Sequence, residues 1–190
     1  MNVQTVIADF FESNIYLLEK NGHKIMVDCG GPYDKVSAAL REAQFVPEFV
    51  LLTHGHIDHI LSLPSLEAKV FIHSDDAHYL SGAEYNLSVQ LTGRPFEYNK
   101  KFYTYEDLPT ELDIQVIHTP GHSPGSVCLL TEDCLFSGDT LFCGGIGNTA
   151  FPGGDYFTEM RSVEHLLCLP EHIKVFPGHG ATTTIKQEKH

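Results

Sequence analysis

Three histidines and one aspartate fall within six residues of the chain, and this segment constrains the possible folds most. They are His54, His56, Asp58 and His59, and they follow directly on the continuous apolar run 49–53. Such a run is typical of a strand that is covered on both faces. The four polar side chains are therefore expected in a turn at a strand end. Because histidine is the commonest metal ligand in proteins, the segment predicts a metal site at a sheet edge.

The spacing within this segment favours two adjacent half-sites over a single ion site. His54 and His56 are two residues apart and can project together. Asp58 and His59 then turn onto the next element. A solvated polar turn would have no reason to concentrate imidazoles, so coincidence is the weaker interpretation.

Three further candidates share one placement, because each follows a short apolar run that predicts a strand. They are His122, Asp139 and His179. Taken alone, a histidine or aspartate in a loop is usually just solvated. Sites in proteins that contain sheets are, however, commonly assembled from loops at strand ends, so the shared placement points to one site.

The count of candidates matches two divalent metal ions. We assign His54, His56 and His122 to the first ion, Asp58, His59 and His179 to the second, and Asp139 as a bridge between them. Imidazole and carboxylate ligands suit zinc, iron or manganese, of which we expect zinc first. Three protein ligands and a bridge leave open positions at each ion, as in catalytic sites. Two ions roughly 3.5–4 Å apart can share a hydroxide, which Asp58 is expected to orient.

Strands and helices are mixed along the whole chain, and several strands separate the helices. Apolar runs predict strands at 15–19, 24–28, 49–53, 70–73, 114–118, 126–131, 134–137 and 173–176. Helical spacing predicts helices over 33–43 and 157–168, the second with Phe157, Met160, Val163 or Glu164, and Leu167 on one face. Asn21 and Gly22 predict a hairpin turn between the first two strands. This order suggests sheets packed on each other with helices outside, in the α/β class.

Length and charge limit the classes of function. The chain has 190 residues and a formal net charge of −13, which suggests one domain over residues 1–190. An acidic protein is disfavoured as a nucleic-acid binder and at anionic membrane surfaces. Neither a targeting signal nor a membrane-spanning apolar run is visible. The five cysteines include no closely spaced pair and are expected to be reduced thiols, which places the protein in the cytoplasm.

Four motifs occur in a characteristic order between residues 53 and 180. They are THxHxDH, TPGHSPGS, FSGDTLF and PGHG, and VDCGG precedes them at 27–31. In this order the chain resembles the metallo-β-lactamase fold superfamily. The resemblance implies an αβ/βα sandwich, in which two β-sheets face each other with helices outside and the metal site lies along one edge.

Within that superfamily the chain is most similar to the glyoxalase II (hydroxyacylglutathione hydrolase) group in its short form. Asp139 as the bridging ligand, FPGGD at 151–155, NLS at 86–88 and GRPFE at 93–97 carry this similarity. It implies hydrolysis of thioesters such as S-2-hydroxyacylglutathione by a metal-bridging hydroxide, with a small-molecule thioester as the partner. True β-lactamases of this fold lack the bridging aspartate, so Asp139 counts against that activity.

The chain departs from this group at two places. Full-length glyoxalase II has a C-terminal helical domain that supplies basic contacts to glutathione. Since this chain stops soon after the last motif, that domain is expected to be absent. Close relatives also carry a Gly-Arg-x-Asp sequence where this chain has Asn148 and Ala150, which removes both charges.

Other functions are compatible with these residues. A persulfide dioxygenase shares the fold and the histidine-rich motifs but uses one iron held by two histidines and one aspartate. A lactone or ester hydrolase would use the same dimetal site. A non-catalytic metal-binding protein is disfavoured, because structural sites are normally closed by four ligands. Asp28, at the end of the 24–28 run, is either a partner for a ligand imidazole or a turn-capping residue.

Overall fold

A computed structural model gives the fold of residues 2–189. The strands are β1 (Val3–Ile7), β2 (Asn14–Lys20), β3 (His23–Val27), β4 (Phe49–Leu51), β5 (Lys69–Ile72), β6 (Tyr103–Thr104), β7 (Gln115–His118), β8 (Val127–Leu130), β9 (Cys134–Gly138), β10 (Lys174–Pro177) and β11 (Thr183–Thr184). The helices are α1 (Tyr33–Glu42), α2 (Ile57–Ile60), α3 (Ser88–Thr92), α4 (Tyr156–Leu167) and α5 (Ile185–Glu188). Every predicted strand and both predicted helices are present, with small shifts at their ends.

The strands form two mixed sheets. Strands β1 to β6 are neighbours in sequence order, antiparallel from β1 to β3 and parallel from β3 to β6. The second sheet has the order β11-β10-β9-β8-β7, and only β9 and β10 are parallel in it. The predicted α/β class and the predicted sandwich of two facing sheets are confirmed.

Alternation along each strand separates the central core from the two outer cores. In β2, Tyr16 and Leu18 pack in the core shared by the two sheets, whereas Ile15 and Leu17 pack against the outer layer of the first sheet. Because side chains alternate between the faces of a strand, an unbroken apolar run serves both cores. Helix α1 covers the first sheet with Val36 and Leu40.

The buried face of α4 differs from the predicted one. Phe157 was expected on the apolar face, but its side chain is 74% exposed. The helix instead buries Glu159, Ser162, Val163 and Leu166. Two polar side chains thus lie on the inner face, because they contact the loop that carries His122, as described below.

The turn between β2 and β3 is the predicted hairpin. Lys20 pairs with His23, so the turn contains two residues, Asn21 and Gly22. Both have positive φ angles, 53° and 82°. A turn with two left-handed residues matches the twist of the flanking strands, and Asn-Gly is its preferred sequence.

The described residues include no helix that is long and apolar enough to cross a membrane. All five cysteines are free, and Cys29, Cys128 and Cys134 are buried. These three act as small apolar side chains of the cores.

We predict that Gly22→Ala lowers the free energy of unfolding by about 1–2 kcal/mol, because a side chain disfavours the left-handed conformation. A Cβ atom at Gly22 would meet no other atom within 4 Å, so only the backbone contributes. Gly145→Ala is the matched control, since its Cβ also enters open space and its φ is not positive. Urea denaturation should show a larger loss of stability for Gly22→Ala than for Gly145→Ala. An equal loss for both variants would mean that the positive φ is not the cause.

Candidate metal centre

All seven predicted side chains come together along one edge of the sandwich. The loop between β4 and α2 carries His54 and His56, and α2 itself carries Asp58 and His59. The remaining three follow β7, β9 and β10, and they are His122, Asp139 and His179. Loops from both sheets therefore contribute to one cluster.

The first group consists of His54, His56 and His122, and all three side chains are buried. The Nε2 atom of His122 lies 3.2 Å from Nε2 of His54 and 2.8 Å from Nδ1 of His56. Three imidazole nitrogens thus point toward a common position.

The second group consists of Asp58, His59 and His179. The Nε2 atoms of His59 and His179 are 3.3 Å apart. The Oδ2 atom of Asp58 lies 3.2 Å from Nε2 of His179 and 3.7 Å from Nε2 of His59. The two groups are adjacent, since the rings of His54 and His59 are 4.2 Å apart between centroids.

Asp139 lies between the two groups. Its Oδ1 atom is 3.4 Å from Nε2 of His59. Its Oδ2 atom is 3.6 Å from Nε2 of His179 and 3.7 Å from Nε2 of His122. One carboxylate therefore faces ring nitrogens of both groups, as a bridging ligand would.

Four of the five histidines have their Nδ1 atoms next to an oxygen. The partners are Asp28 Oδ2 for His59 at 2.8 Å, the Asn148 carbonyl for His122 at 2.9 Å, the Phe11 carbonyl for His179 at 3.0 Å, and Thr53 Oγ1 for His54 at 3.2 Å. Carbonyl and carboxylate oxygens accept hydrogen bonds, and the Thr53 hydroxyl donates to Asp28. The proton of each neutral ring is therefore assigned to Nδ1, and Nε2 carries a lone pair.

In the first group, the Nε2 atoms of His54 and His122 both carry lone pairs and lie 3.2 Å apart. A cation between them would make this contact favourable. The Oδ1 atom of Asp139 is also buried and accepts no hydrogen bond. The donor set of imidazole nitrogens and carboxylate oxygens fits divalent ions such as zinc, iron or manganese.

The protonation of the first group suits metal binding. Burial, reinforced by the neighbouring imidazoles, lowers the pKa of His54, and the same two causes lower the pKa of His56 to about 3. Burial also lowers the pKa of His122, although the Asp139 carboxylate acts in the opposite direction. The three rings are thus neutral at physiological pH, as ligands must be.

The second group has the opposite electrostatics. Burial lowers the pKa of His59, but the carboxylates of Asp139, Asp58 and Asp28 outweigh burial and raise it well above its usual value. The same balance raises the pKa of His179. Burial raises the pKa of Asp139, but the adjacent imidazoles lower this pKa by a larger amount, so the net shift is downward. Without metal, this group attracts protons, and a divalent cation can replace their charge.

Asp28 connects the candidate site to the first sheet. Its Oδ1 atom accepts a hydrogen bond from the Thr53 amide at 2.8 Å. Its Oδ2 atom accepts from the Thr53 hydroxyl at 2.7 Å and faces Nδ1 of His59 at 2.8 Å. Of the two roles expected for Asp28, the structure therefore places it as the partner of an imidazole.

Sequence reasoning missed Asp76, which joins the loops of the first group. This buried carboxylate accepts hydrogen bonds from the Gly55 amide at 3.0 Å, the Ser123 hydroxyl at 2.7 Å and the Gly125 amide at 2.6 Å. Gly55 lies between two candidate ligands, and Ser123 follows a third. A signal was available, because Asp76 follows the end of a strand, as the other candidates do.

Glu159 on α4 was also missed. Its Oε2 atom accepts a hydrogen bond from the His122 amide at 2.8 Å, and its buried Oε1 atom has no hydrogen-bond partner. Burial raises the pKa of Glu159 to about 8, although the His122 amide lowers it in part. No sequence motif marks this residue, because it lies in an otherwise ordinary amphipathic helix.

The two positions that depart from the Gly-Arg-x-Asp pattern lie beside His122. The main-chain carbonyl of Asn148, not its side chain, faces Nδ1 of His122. The Asn148 side chain accepts a hydrogen bond from the Ala150 amide at 2.9 Å. A main-chain contact thus orients this imidazole without the two missing charges.

Comparison with protein families and with known relatives shows the family to which the chain belongs. Residues 8–179 match the family described as the metallo-beta-lactamase superfamily. The probable metallo-hydrolase YqgX of Bacillus subtilis is 36% identical over 190 residues, which cover 94% of this chain and 90% of the relative. The hydroxyacylglutathione hydrolase GloC of Haemophilus influenzae is 31% identical over 204 residues, covering 100% of this chain and 95% of GloC.

Solved structures agree with this assignment. The crystal structure of BLEG-1 B3 metallo-beta-lactamase has a TM-score of 0.89 and 35% identity, covering 100% of this chain and 97% of that one. The crystal structure of TTHA1623 in a di-iron-bound form also has a TM-score of 0.89, with 31% identity and coverage of 99% and 98%. Neighbours with the same fold thus carry different names, and one of them is described as di-iron-bound.

We predict that Asp28→Asn weakens zinc binding about 10–100-fold, because His59 loses the acceptor that orients its ring. Asparagine tolerates the positive φ of 58° at this position, so the backbone is retained. Asp113→Asn is the matched control, since Asp113 also has a positive φ, 51°, and pairs with Lys20 at the surface. Competition with a chelating dye measures both affinities, and equal affinities would remove Asp28 from the metal site.

We predict that Glu159→Gln stabilises the metal-free protein relative to the unmodified chain, and that this difference in the free energy of unfolding grows as the pH rises from 5 to 8. The pKa of Glu159 is raised from 4.5 to about 8 in the folded state, so the folded chain holds an extra proton between these values. Stability from this group is therefore lost as the pH rises through that window. The variant avoids a buried charge without a full set of partners, a gain of about 1–3 kcal/mol at pH 8.

Urea denaturation at several pH values tests this second prediction. Glu164→Gln, an exposed substitution on the same helix, is the control and should show the pH dependence of the unmodified chain. A constant difference between Glu159→Gln and the unmodified protein at pH 5 and pH 8 would contradict the assigned protonation.

Proposed function

Because this chain belongs to the metallo-beta-lactamase superfamily, we propose that it is a metal-dependent hydrolase of thioesters, with S-2-hydroxyacylglutathione as the first candidate substrate. The observation that carries this proposal is the position of Asp139 between two complete groups of ligands. The name of the GloC relative supports the choice of substrate. Divalent metal binding is expected for this superfamily.

The seven clustered side chains are the proposed ligands of two divalent ions. His54, His56 and His122 would hold one ion, Asp58, His59 and His179 the other, and Asp139 would contact both. Zinc is the first candidate, and the di-iron form of TTHA1623 supports iron as an alternative. When bound, two such ions lower the pKa of a shared water and polarise a carbonyl oxygen.

The chain's own residues prepare this reaction. The pKa of Asp58 is lowered, because the adjacent imidazoles outweigh the effect of burial, so its carboxylate is charged at neutral pH. It can therefore accept a hydrogen bond from the attacking water and orient it. The Asp28, Asn148 and Phe11 oxygens hold the imidazole rings in one tautomer, so the donors need no rearrangement.

The reaction needs no dedicated general acid. A carbon–oxygen bond to water forms and the carbon–sulfur bond of the thioester breaks, which yields a carboxylic acid and a thiol. A thiol has a pKa of about 8.5, so sulfur can leave as a thiolate near neutral pH and take up a proton afterwards. Of the two protons of the attacking water, one is taken up by the thiolate and the other is released to solvent, because the carboxylic acid is ionised at neutral pH.

The main alternative is a persulfide dioxygenase with one iron. The geometry supports the hydrolase more strongly, because both groups of ligands are complete and Asp139 faces both. Metal content separates the two functions, since a dioxygenase would hold one iron per chain.

We predict close to two metal ions per chain and hydrolysis of S-lactoylglutathione that a chelator abolishes and added metal restores. Asp139→Asn should lower kcat/KM by at least about 100-fold, because one carboxylate serves both proposed ions. His172→Ala, which removes an exposed histidine that pairs with Asp133 and belongs to none of the groups of candidate ligands, is the control and should retain activity.

Elemental analysis and a continuous assay of thiol release provide the measurements. One iron per chain, together with oxygen uptake on glutathione persulfide, would overturn the hydrolase in favour of the dioxygenase. A protein without bound metal, even after incubation with zinc, iron or manganese, would refute the dimetal site itself.

A further inference from the structure

A cavity of about 300 Å³ opens beside the candidate metal ligands. Besides five of these ligands, its lining consists of Phe11, Leu87, Leu91, Phe142, Phe151 and Asn148. No lysine or arginine lines the cavity in the described part of the chain. Apart from the candidate ligands and Asn148, the described lining is therefore apolar and contains no lysine or arginine.

One wall of this cavity has an unusual backbone. Leu87 is buried and has a φ of 64° and a ψ of 10°, in the left-handed region. A bulky residue rarely adopts this conformation, and such strain persists only where the surroundings impose it. Strained residues of this kind are concentrated at ligand-binding sites.

The neighbouring residue Asn86 imposes this conformation. Its side chain donates to the Tyr79 carbonyl at 2.8 Å and accepts from the Ser88 amide at 3.0 Å. Its carbonyl accepts from the Ile57 amide at 2.8 Å, at the start of α2. The wall that contains Leu87 is thus attached directly to the helix that carries Asp58 and His59.

Helix α3 extends the same wall. It begins immediately after Leu87, and Leu91 lies one turn further, with its amide donating to the Leu87 carbonyl at 3.0 Å. Residues four apart share a helix face, so both leucines can line the cavity. Val89 lies between them and is 50% exposed, outside the cavity lining.

We propose that this site selects thioesters with an uncharged, apolar arm that packs against Leu87 and Leu91, an inference that rests on the thioester hydrolase function proposed above. The arm is either the acyl chain or the thiol substituent, and both present the same chemistry to the wall. S-lactoylglutathione, with a polar acyl group and a charged carrier, would then still be hydrolysed, but with a lower kcat/KM than a neutral thioester that carries such an arm.

Charge and burial both favour this class. An apolar arm gains from leaving water on contact with the leucines. A carboxylate of the carrier that packed against the leucines would lose its hydration and find no lysine or arginine in the described lining. The net charge of −13 adds a general repulsion of anionic substrates.

The test compares thioesters that differ in one arm. Acetyl and hexanoyl thioesters of N-acetylcysteamine vary only the acyl chain, and S-hexyl thioacetate places the chain on sulfur. Hexanoylglutathione places the same acyl group on an anionic carrier. We expect either the hexanoyl thioester of N-acetylcysteamine or S-hexyl thioacetate to have a kcat/KM at least about tenfold higher than the acetyl thioester of N-acetylcysteamine. Hexanoylglutathione should have a lower kcat/KM than the hexanoyl thioester of N-acetylcysteamine.

Variants identify the wall. Leu91→Gln should reduce the advantage of the longer chain at least about fivefold, in whichever arm carries it. Val89→Gln, on the exposed side of the same helix, is the matched control and should keep the advantage. Leu87→Asn, which tolerates the positive φ, is a second test should Leu91→Gln disturb folding.

Binding gives a readout that does not depend on turnover. Calorimetry compares an inert amide analogue of the hexanoyl thioester with an S-alkylated glutathione of equal chain length. Tighter binding of the neutral analogue, weakened by Leu91→Gln and not by Val89→Gln, is the expected result. Equal or tighter binding of the anionic analogue would overturn the proposal.

The outcomes separate this inference from the proposed function. If the metal-loaded protein hydrolyses S-lactoylglutathione as fast as the hexanoyl thioesters, the thioesterase function stands and the apolar selection is wrong. If no thioester is hydrolysed while the neutral analogue binds as expected, the proposed function is wrong and the apolar wall stands.

Discussion

The buried carboxylate of Asp28 organises the part of the molecule on which the site depends. It lies directly after β3 and accepts hydrogen bonds from the amide and hydroxyl of Thr53, which follows β4. Its second oxygen also faces Nδ1 of His59 on α2. Two parallel strand ends and one helix are thereby connected through a single side chain. The same connection also selects the tautomer of His59. The ability of His59 to bind metal therefore depends on how the first sheet packs around Asp28.

Two other buried carboxylates repeat this arrangement for the first group of ligands. Asp76 accepts from the Gly55 and Gly125 amides, and Glu159 accepts from the His122 amide. Buried carboxylates are costly, and burial raises the pKa of both Asp76 and Glu159. Both carboxylates lie at the loops that carry the imidazoles. Hydrogen bonds from the main-chain amides of these loops offset part of the free-energy cost of burying them, and side chains from distant segments thus hold the loops.

The sequence predicted the candidate ligands at the strand ends better than the buried carboxylates that hold their loops. Apolar runs followed by polar residues placed His54, His122 and His179 at strand ends, since strand ends are readable from local pattern. Asp76 and Glu159 act through contacts with loops 47 and 37 residues away, and local pattern carries no record of such contacts. Parts of the fold were missed for a related reason. Strand β1 is amphipathic and half exposed, so no apolar run marks it.

Helix α4 shows how function overrides periodicity. Its apolar residues predicted a face that includes Phe157, yet the helix turns Glu159 and Ser162 inward. Glu159 meets the His122 amide, and the Ser162 hydroxyl donates to the Pro120 carbonyl at 2.7 Å. The hydrophobic pattern therefore predicted the helix and its length correctly. Of the predicted face, Val163 is buried and Leu167 packs against the same core, whereas Phe157 is exposed.

The metal cluster and the apolar wall are supported by different parts of the chain. The imidazoles depend on Asp28, Asp76 and Glu159, which are buried within the sandwich. The wall at Leu87 is held by the Asn86 side chain and meets α2 through the Ile57 amide. Neither the Leu87 nor the Leu91 side chain takes part in the hydrogen bonds that hold the proposed ligands. In this chain the wall can therefore be changed by substitution while the supporting carboxylates stay in place.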